Sequence, residues 1–591
     1  MDREGRSNKP VSRQAADGVP PPYNSVFFRV RPILSWLAAF AILLLLHYPF
    51  LRLPYYWDEA GYYIPAAMDF FHSGQLVPSS TLPTGHTPLV IIYLALAWWV
   101  FGCSPLVTRL AMVMIAAGTL AGVYALGRRI ADREIRCWSV LLLALLPLFF
   151  AQSTLAHLDL AAALFTLLAL LALLEDHPAW FALASTCAVL SKETAVVLLP
   201  VAWTFSWWQR RRATGPLARA WYVAYLAPLL VLIAWLAFYH HATGFWTGNS
   251  YYLHYNLYST LHPVRVLLTF LRRLYETFVG GFNWLLTVGA IAGIVWARRK
   301  KIGANLETSV IPAKAGNRSA NSLETPVIPA LRPRAFERQA AKAGIYSANR
   351  ETPVIPAKAG IYSEIHLRTN TLRRFFVLGG WLIAAYMVML SVVGGAILPR
   401  YLLPVFPPLV LIAVILIWRL PRAAARAIMV FTSGCFVWAW FLNPPFPFPF
   451  EDNLAYADFI RLHERAAQLL EAQAGKERIL TAWPASDELA RPFLGYVRQP
   501  LNVVALQDFG RQDFDGVSPE SFACLYLYSR RWEPANNWMK RFSWLQRLQQ
   551  RYFDYQPEVS EPELAARYHL RLLASLERRR QWVRIYVRAE E

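Results

Sequence analysis

Apolar runs of about 15–22 residues recur along this chain, the length a helix needs to cross the hydrocarbon core of a bilayer. They lie at 32–51, 106–127, 137–154, 158–175, 179–191, 194–208, 222–240, 283–297, 375–397, 402–418 and 427–443. Lipid offers backbone N–H and C=O groups no partner, so segments of this kind fold as helices that satisfy their own polar groups. Composition agrees. Hydrophobic residues make up 56% of the 591 and charged residues only 16%, where a soluble chain carries about a quarter. The first run, Pro32 to Leu51, has no small-residue cleavage site behind it and reads as a retained span rather than a signal peptide.

The net charge of +21 comes from clusters: Arg3, Arg6, Lys9, Arg13, Arg29 and Arg31; Arg128, Arg129, Arg133 and Arg136; Arg210 to Arg212; Arg298 to Lys301; Arg419, Arg422 and Arg426. Basic loops beside membrane spans stay on the cytoplasmic side, which accounts for the charge without nucleic acid as a partner. One further run, 88–103, is ambiguous. If it lies in the interface, every cluster falls inside, with about eleven spans, the N-terminus in and the C-terminus out. The run 179–191 is short for a crossing.

The predicted fold is therefore an all-α polytopic membrane domain, with interfacial helices in its first external loop, followed by a small α/β soluble domain. Residues 1–31 form a cytoplasmic tail, and 32–302 the first part of the membrane domain with an external loop at 52–105. Residues 303–366 form an insert, 367–444 the second part of the membrane domain, and 445–591 the external domain. In that last stretch a helical pattern at 452–473 precedes strand-like runs at Ile479–Trp483, Val503–Leu506, Cys524–Tyr528 and Trp582–Val587. The insert repeats near copies of ETPVIPAKAG without a fixed period. Polar and Pro-rich, it is expected to be disordered and without catalytic role. The cysteines, Cys103, Cys137, Cys187, Cys435 and Cys524, show no metal-ligand spacing.

Chemistry concentrates in the first external loop, PYYWDEAGYY at 54–63. Asp58 and Glu59 are adjacent carboxylates just beyond the first span. A solvated loop end is the plain alternative. Against it stand Tyr55, Tyr56, Trp57, Tyr62 and Tyr63, which can shield the pair from water and offer platforms for a sugar ring. Asp159 opens the run after 158, where it either caps a helix or serves a site on the same face as Asp58. Lys192 and Arg400 fall on the external side and either hold a phosphate or snorkel to lipid headgroups. His86 is a loop histidine or a metal ligand. The sequence requires no cofactor and leaves a divalent metal open, at Asp58, Asp159 or His86.

The order of these features (a span, an external Asp-Glu loop with aromatics, a Pro-Leu aromatic segment, an Arg-rich inner turn, an external Asp, a Lys turn, then Arg-Tyr-Leu-Leu-Pro) resembles the C-type superfamily of polyprenyl-phosphate-sugar glycosyltransferases. The branch of protein O-mannosyltransferases and aminoarabinose transferases is the most similar, over roughly residues 30–420. The resemblance implies that Asp58 is the base or acceptor-binding carboxylate, with Glu59 its usual neighbour. Where family members often carry Lys-Pro-Pro-Leu, this chain has His86-Thr87-Pro88-Leu89, so a lysine contact to the carrier phosphate is not expected there. The tail after 445 matches no member by pattern and leaves the acceptor open.

The implied enzyme is a transferase in the bacterial inner membrane, its site facing the periplasm. It moves a hexosyl or pentosyl group from a polyprenyl-phosphate-linked sugar to a lipid, glycan or protein, with inversion. Asp58 would act as base with Glu59 assisting, Asp159 would position the acceptor or a metal, and Lys192 and Arg400 would clamp the phosphate. Tyr55, Trp57, Tyr62, Tyr63 and His86 complete the expected binding set. The alternative is a transporter or flippase for a lipid-linked or small substrate. Transporters often repeat their spans internally, and no such repeat is visible here.

Overall fold

The computed structural model describes residues 30–210, 219–248, 254, 261–309, 357–553 and 558–589. Each apolar run of the sequence lies on a helix or a broken helix. The chain passes through α1 (Val30–His47), α2 (Ile64–Ser73), α3 (Leu89–Phe101), α4 (Pro105–Ile130), α5 (Arg133–Leu145), α6 (Pro147–Gln152), α7 (Leu158–Leu174) and α8 (Pro178–Ser191). It continues through α9 (Leu198–Arg210), α10 (Arg219–Thr243), α11 (Pro263–Phe278), α12 (Asn283–Ser309), α13 (Ala357–Val392), α14 (Phe406–Ile417) and α15 (Arg422–Ala439). Among the described residues, six helices are long and apolar enough to cross a membrane, and α3, α7 and α8 are shorter apolar helices. The chain is a multi-pass membrane protein.

Local sequence sets the helix ends. Ser104 caps α4, its hydroxyl accepting from the Val107 N–H at 3.3 Å, and Pro105 takes the first turn, where no N–H is needed. Pro147 separates α5 from α6. The ambiguous run 88–103 forms the 13-residue α3. At about 1.5 Å per residue it is about 20 Å long, short of a hydrocarbon core about 30 Å thick. It packs on α2 and α4.

The short runs 179–191 and 194–208 form two helices, α8 and α9, that run in opposite directions. Lys192, at the end of α8, reaches Asp159 at the start of α7, so α8 returns to the level from which α7 left. The Trp221 indole of α10 donates to Asp176, at the far end of α7, at 3.0 Å. The chain between them, carrying α9, therefore runs back across.

One end of the helices carries the basic residues around 128–136, 368 and 419–426, tied by Arg129–Glu175 at 2.7 Å, Arg426–Glu134 at 2.8 Å and Arg368–Asp132 at 3.2 Å. The middle of the repetitive insert, 310–356, lies outside the described residues, and its two ends continue α12 and α13. The N-terminal tail up to residue 29 also lies outside them.

The other end carries the C-terminal domain. Helix α16 (Ala455–Gln473) packs on a five-stranded sheet in the order β2-β1-β3-β5-β4, formed by β1 (Arg478–Ala482), β2 (Asn502–Leu506), β3 (Cys524–Tyr528), β4 (Leu570–Arg578) and β5 (Gln581–Arg588). β1 pairs in parallel with β2 and β3, and β5 pairs antiparallel with β3 and β4. β4 is a strand beyond those expected. The domain rests directly on the first external loop. Tyr55 N–H donates to Leu494 O at 3.1 Å, Tyr496 OH to Tyr55 O at 2.9 Å, and Arg491 to Ser80 O at 2.6 Å.

Candidate active site

Asp58 and Glu59 are neighbours in sequence and part company in space. Trp57 adopts φ 44°, a left-handed turn that a bulky residue rarely takes, and helical geometry begins at the next residue. Consecutive residues on a helix point about 100° apart, so the two carboxylates face different surroundings. Trp57 is held by ring contacts at 5.5 Å with Phe459 and 5.8 Å with Trp483, both from the C-terminal domain.

Glu59 turns inward and is fully buried. Its carboxylate accepts from the Tyr56 N–H at 2.7 Å, from the Ala156 N–H, and from the Arg109 guanidinium. Arg109, equally buried, also donates to Thr154 O at 2.9 Å and Pro54 O at 2.8 Å. This saturated ion pair ties the loop to α4 and to the turn before α7. Tyr55 belongs to the same layer, its hydroxyl sharing a hydrogen bond with Thr108 at 2.8 Å. The geometry gives Glu59 and Tyr55 a supporting place behind Asp58.

Asp58, by contrast, keeps 17% of its side chain exposed. It accepts from Nη2 of Arg400, which sits on a 3₁₀ turn, Pro399–Val405, leading into α14. Nη1 of the same guanidinium donates to Glu451, on the first turn of the C-terminal domain. Its Nε faces Asp159 Oδ2 at 3.4 Å. Asp159 lies in the first turn of α7, where His157 is the N-cap, so it is not capping the helix. It accepts from Lys192 Nζ at 2.6 Å. Lys192 in turn lies 3.8 Å from the centre of the Tyr401 ring, a cation–π contact. Two cations and three carboxylates, on five separate segments, thus form one buried cluster. Asp58, Asp159, Lys192 and Arg400 were marked by sequence, and the structure brings them together.

Several polar atoms of this cluster have no hydrogen-bond partner among the described residues: Asp159 Oδ2, Arg400 Nε, Glu451 Oε1 and His157 Nε2. Asp159 Oδ2 and Arg400 Nε face each other, whereas Glu451 Oε1 and His157 Nε2 are buried without a partner among these residues, which buried polar groups seldom are. Burial raises Glu451 to about 7, with Arg400 opposing and Asp58 and Asp159 adding to the rise. Burial also pushes Asp452 well above, and His157 well below, their ordinary values. The His157 Nδ1–H donates to Gln152 Oε1 at 2.7 Å, and Gln152 donates to Glu451 O at 3.2 Å. That chain holds His157 as a neutral imidazole with its Nε2 lone pair free.

Sequence reasoning missed Glu451, Arg109, His157 and Arg273. Arg273 on α11 is fully buried, donates to Leu398 O at 2.9 Å, and lies 5.9 Å from the Tyr401 ring. Its Nε and Nη2 have no partner among the described residues. The amphipathic character of α11 was the one available signal. Nothing around Glu451 announced a site.

Beside the cluster opens a cleft lined by Tyr62, Tyr63, Leu82, His86, Trp235 and Tyr239. Tyr62 also meets the Trp483 ring at 5.0 Å, tilted by 35°. His86 pairs with Glu193, Nδ1 lying 3.1 Å from each carboxylate oxygen. Tyr63 stands between His86 and His157, at 6.1 and 6.0 Å. Among the described residues no group of three His, Cys, Asp or Glu side chains is arranged to hold a metal ion.

No family model matches the chain, and no curated protein does. Solved structures are similar to it. One is ArnT from Cupriavidus metallidurans bound to undecaprenyl phosphate, with 14% identity over 93% of this chain and 98% of that one, at a TM-score of 0.49. Another is the same ArnT in the apo state, with 14% identity over 94% and 98%, at a TM-score of 0.45.

Proposed function

We propose that this chain is an integral-membrane glycosyltransferase that moves a sugar from a polyprenyl-phosphate carrier to a lipid, glycan or protein acceptor. Its site would face the periplasm from the bacterial inner membrane, since the basic residues around 128–136, 368 and 419–426 lie at the opposite end of the helices. The observation that carries the reading is Asp58, partly exposed on Arg400, beside the buried Lys192–Asp159 pair.

A glycosyl phosphate brings its own leaving group. The protein must hold the carrier, stabilise the departing phosphate and accept a proton from the acceptor hydroxyl. Arg400, Lys192 and Arg273 approach one ring, that of Tyr401, and can converge on a phosphate in a site where water is scarce and each cation acts strongly. Asp58 is the base. Its partial exposure leaves a path for the acceptor, and Arg400 holds its carboxylate in place. Asp159 orients Lys192, and Glu59 with Arg109 fixes the loop. Tyr62, Tyr63 and His86 line the cleft where the sugar and acceptor would lie. Attack on the face opposite the phosphate gives inversion. Side-chain cations supply the positive charge, so the reaction is proposed to need no divalent metal, and chelation is expected to leave it running.

The test uses purified protein in nanodiscs, a panel of labelled undecaprenyl-phospho-sugars, and membrane lipid extract as acceptor. Release of undecaprenyl phosphate with transfer of label is expected from one donor. Asp58→Asn is expected to lower that rate by about 10²–10⁴, the contribution usual for a general base, with unchanged insertion and thermal stability. Near-wild-type turnover in Asp58→Asn would remove Asp58 as base. Movement of intact donor across the bilayer without cleavage would make the protein a transporter.

A further inference from the structure

All three edges of the Arg400 guanidinium face carboxylates. Nη2 is on Asp58, Nη1 on Glu451, and Nε looks toward Asp159. A guanidinium that faces three carboxylates has its charge already matched, so an incoming phosphate competes with them and binds better when one carboxylate lets go. Asp159 is already matched by Lys192 at 2.6 Å. Asp58 must stay ionised to act as base. Glu451 remains. It is 2% exposed, and its second oxygen has no partner among the described residues. Counted together, Asp58, Asp159 and Glu451 against Arg400 and Lys192 leave one excess negative charge before any phosphate arrives.

We propose that Glu451 is the releasable counter-ion of Arg400: it takes up one proton as the carrier phosphate enters, and its neutral carboxyl yields that edge of the guanidinium to the phosphate. The first turn of the C-terminal domain would thereby regulate donor entry into the membrane domain. The idea rests on the phosphate-site reading above. The step balances simply: one proton moves from solvent to Glu451, no bond to carbon changes, and the total charge of the site is the same before and after a singly charged phosphodiester binds.

Groups facing Glu451 come from every neighbouring element: Arg400 and Tyr401 on the turn before α14, Asp58 and Tyr56 on the first loop, His157 and Asp159 at the start of α7, and Asp452 on its own turn. His157, 4.0 Å away, is neutral through the physiological range because burial and the nearby cations hold it well down. Glu451 itself is ionised above about 7. The sign follows: below that pH the proton is already bound, and affinity for a phosphodiester is flat. Above it a proton must be taken up, and affinity falls by about tenfold per pH unit.

The experiment measures binding of a methyl diester of undecaprenyl phosphate, whose single charge does not titrate, to the full chain in nanodiscs from pH 6 to 9. The wild type should show that falling affinity. Glu451→Gln, which keeps a hydrogen-bonding side chain, should bind with a flat pH profile and more tightly than wild type at pH 9. Glu451→Asp, which keeps a titratable acid, should retain a slope. A flat wild-type profile, or an unchanged slope in Glu451→Gln, overturns the proposal while leaving the phosphate site standing. No binding by the wild type at any pH overturns both.

Discussion

Glu59→Gln leaves the Arg109 guanidinium buried without its counter-charge, among atoms placed for an ion pair. Breaking such a pair from one side costs about 3–5 kcal/mol, whereas replacing both partners with apolar groups of similar volume is often neutral. We expect the thermal unfolding temperature of Glu59→Gln to fall clearly, and Glu59→Leu with Arg109→Met to regain much of the loss. Asp58→Asn should leave that temperature alone, because Arg400 keeps Glu451 and Asp159. Equal destabilisation by the two single variants would contradict the division of labour between them. What was legible here was residue type near a helix end. Asp58, Asp159, Lys192 and Arg400 are polar groups at the margins of apolar runs. Glu451 and Arg109 were hidden for a physical reason: their partners lie 51 and 50 residues away in sequence, and only packing brings them close.

The element that links membrane and soluble parts is the turn Glu59–Tyr63 ahead of α2. A Cβ on Gly61 would stand 2.2 Å from the Trp483 indole nitrogen, so the two domains meet there at closer range than any side chain permits. Gly61→Ala must push Trp483 aside, and overpacking of this kind costs about 1–3 kcal/mol. In a Trp483→Ala background the same alanine meets empty space. The double variant should therefore be no less stable than Trp483→Ala alone, as read by thermal unfolding; an additive loss would mean that the indole is not what Gly61 accommodates. Elements were legible where periodicity and length agreed, as in α4 or α16. β4 was not. Its sequence, LRLLASLER, reads equally as an amphipathic helix, and its hairpin turns on Arg579 and Arg580, at φ 47° and 68°. Arginine gives no turn signal where Gly or Asn would, so pairing with β5 decides the conformation.

At the scale of the whole molecule, the membrane domain is continuous without its repetitive middle. α12 packs on α14 so closely that a Cβ on Gly293 would lie 2.0 Å from the Leu416 carbonyl oxygen, and α13 packs on α4, α9 and α11. Both helices are thus placed by packing, independently of residues 310–356. The described chain breaks off at Ser309 and resumes at Ala357, in the extensions of α12 beyond Arg298 and of α13 before Arg368. Loop closure depends only weakly on loop length, so length is not a reason to keep the repeats. Replacing residues 310–356 with a flexible Gly/Ser linker should leave transfer activity within about twofold, since a doubled or halved loop changes closure by only about 0.6 kcal/mol. Truncation after Asn443 should abolish activity, because it removes Glu451 and the contacts of Leu494, Tyr496 and Trp483 on the catalytic loop. Parallel assays of carrier release, with insertion checked by gel filtration in detergent, distinguish the two. Loss of activity on linker replacement would give the repeats a role that the packing of α12 and α13 does not explain.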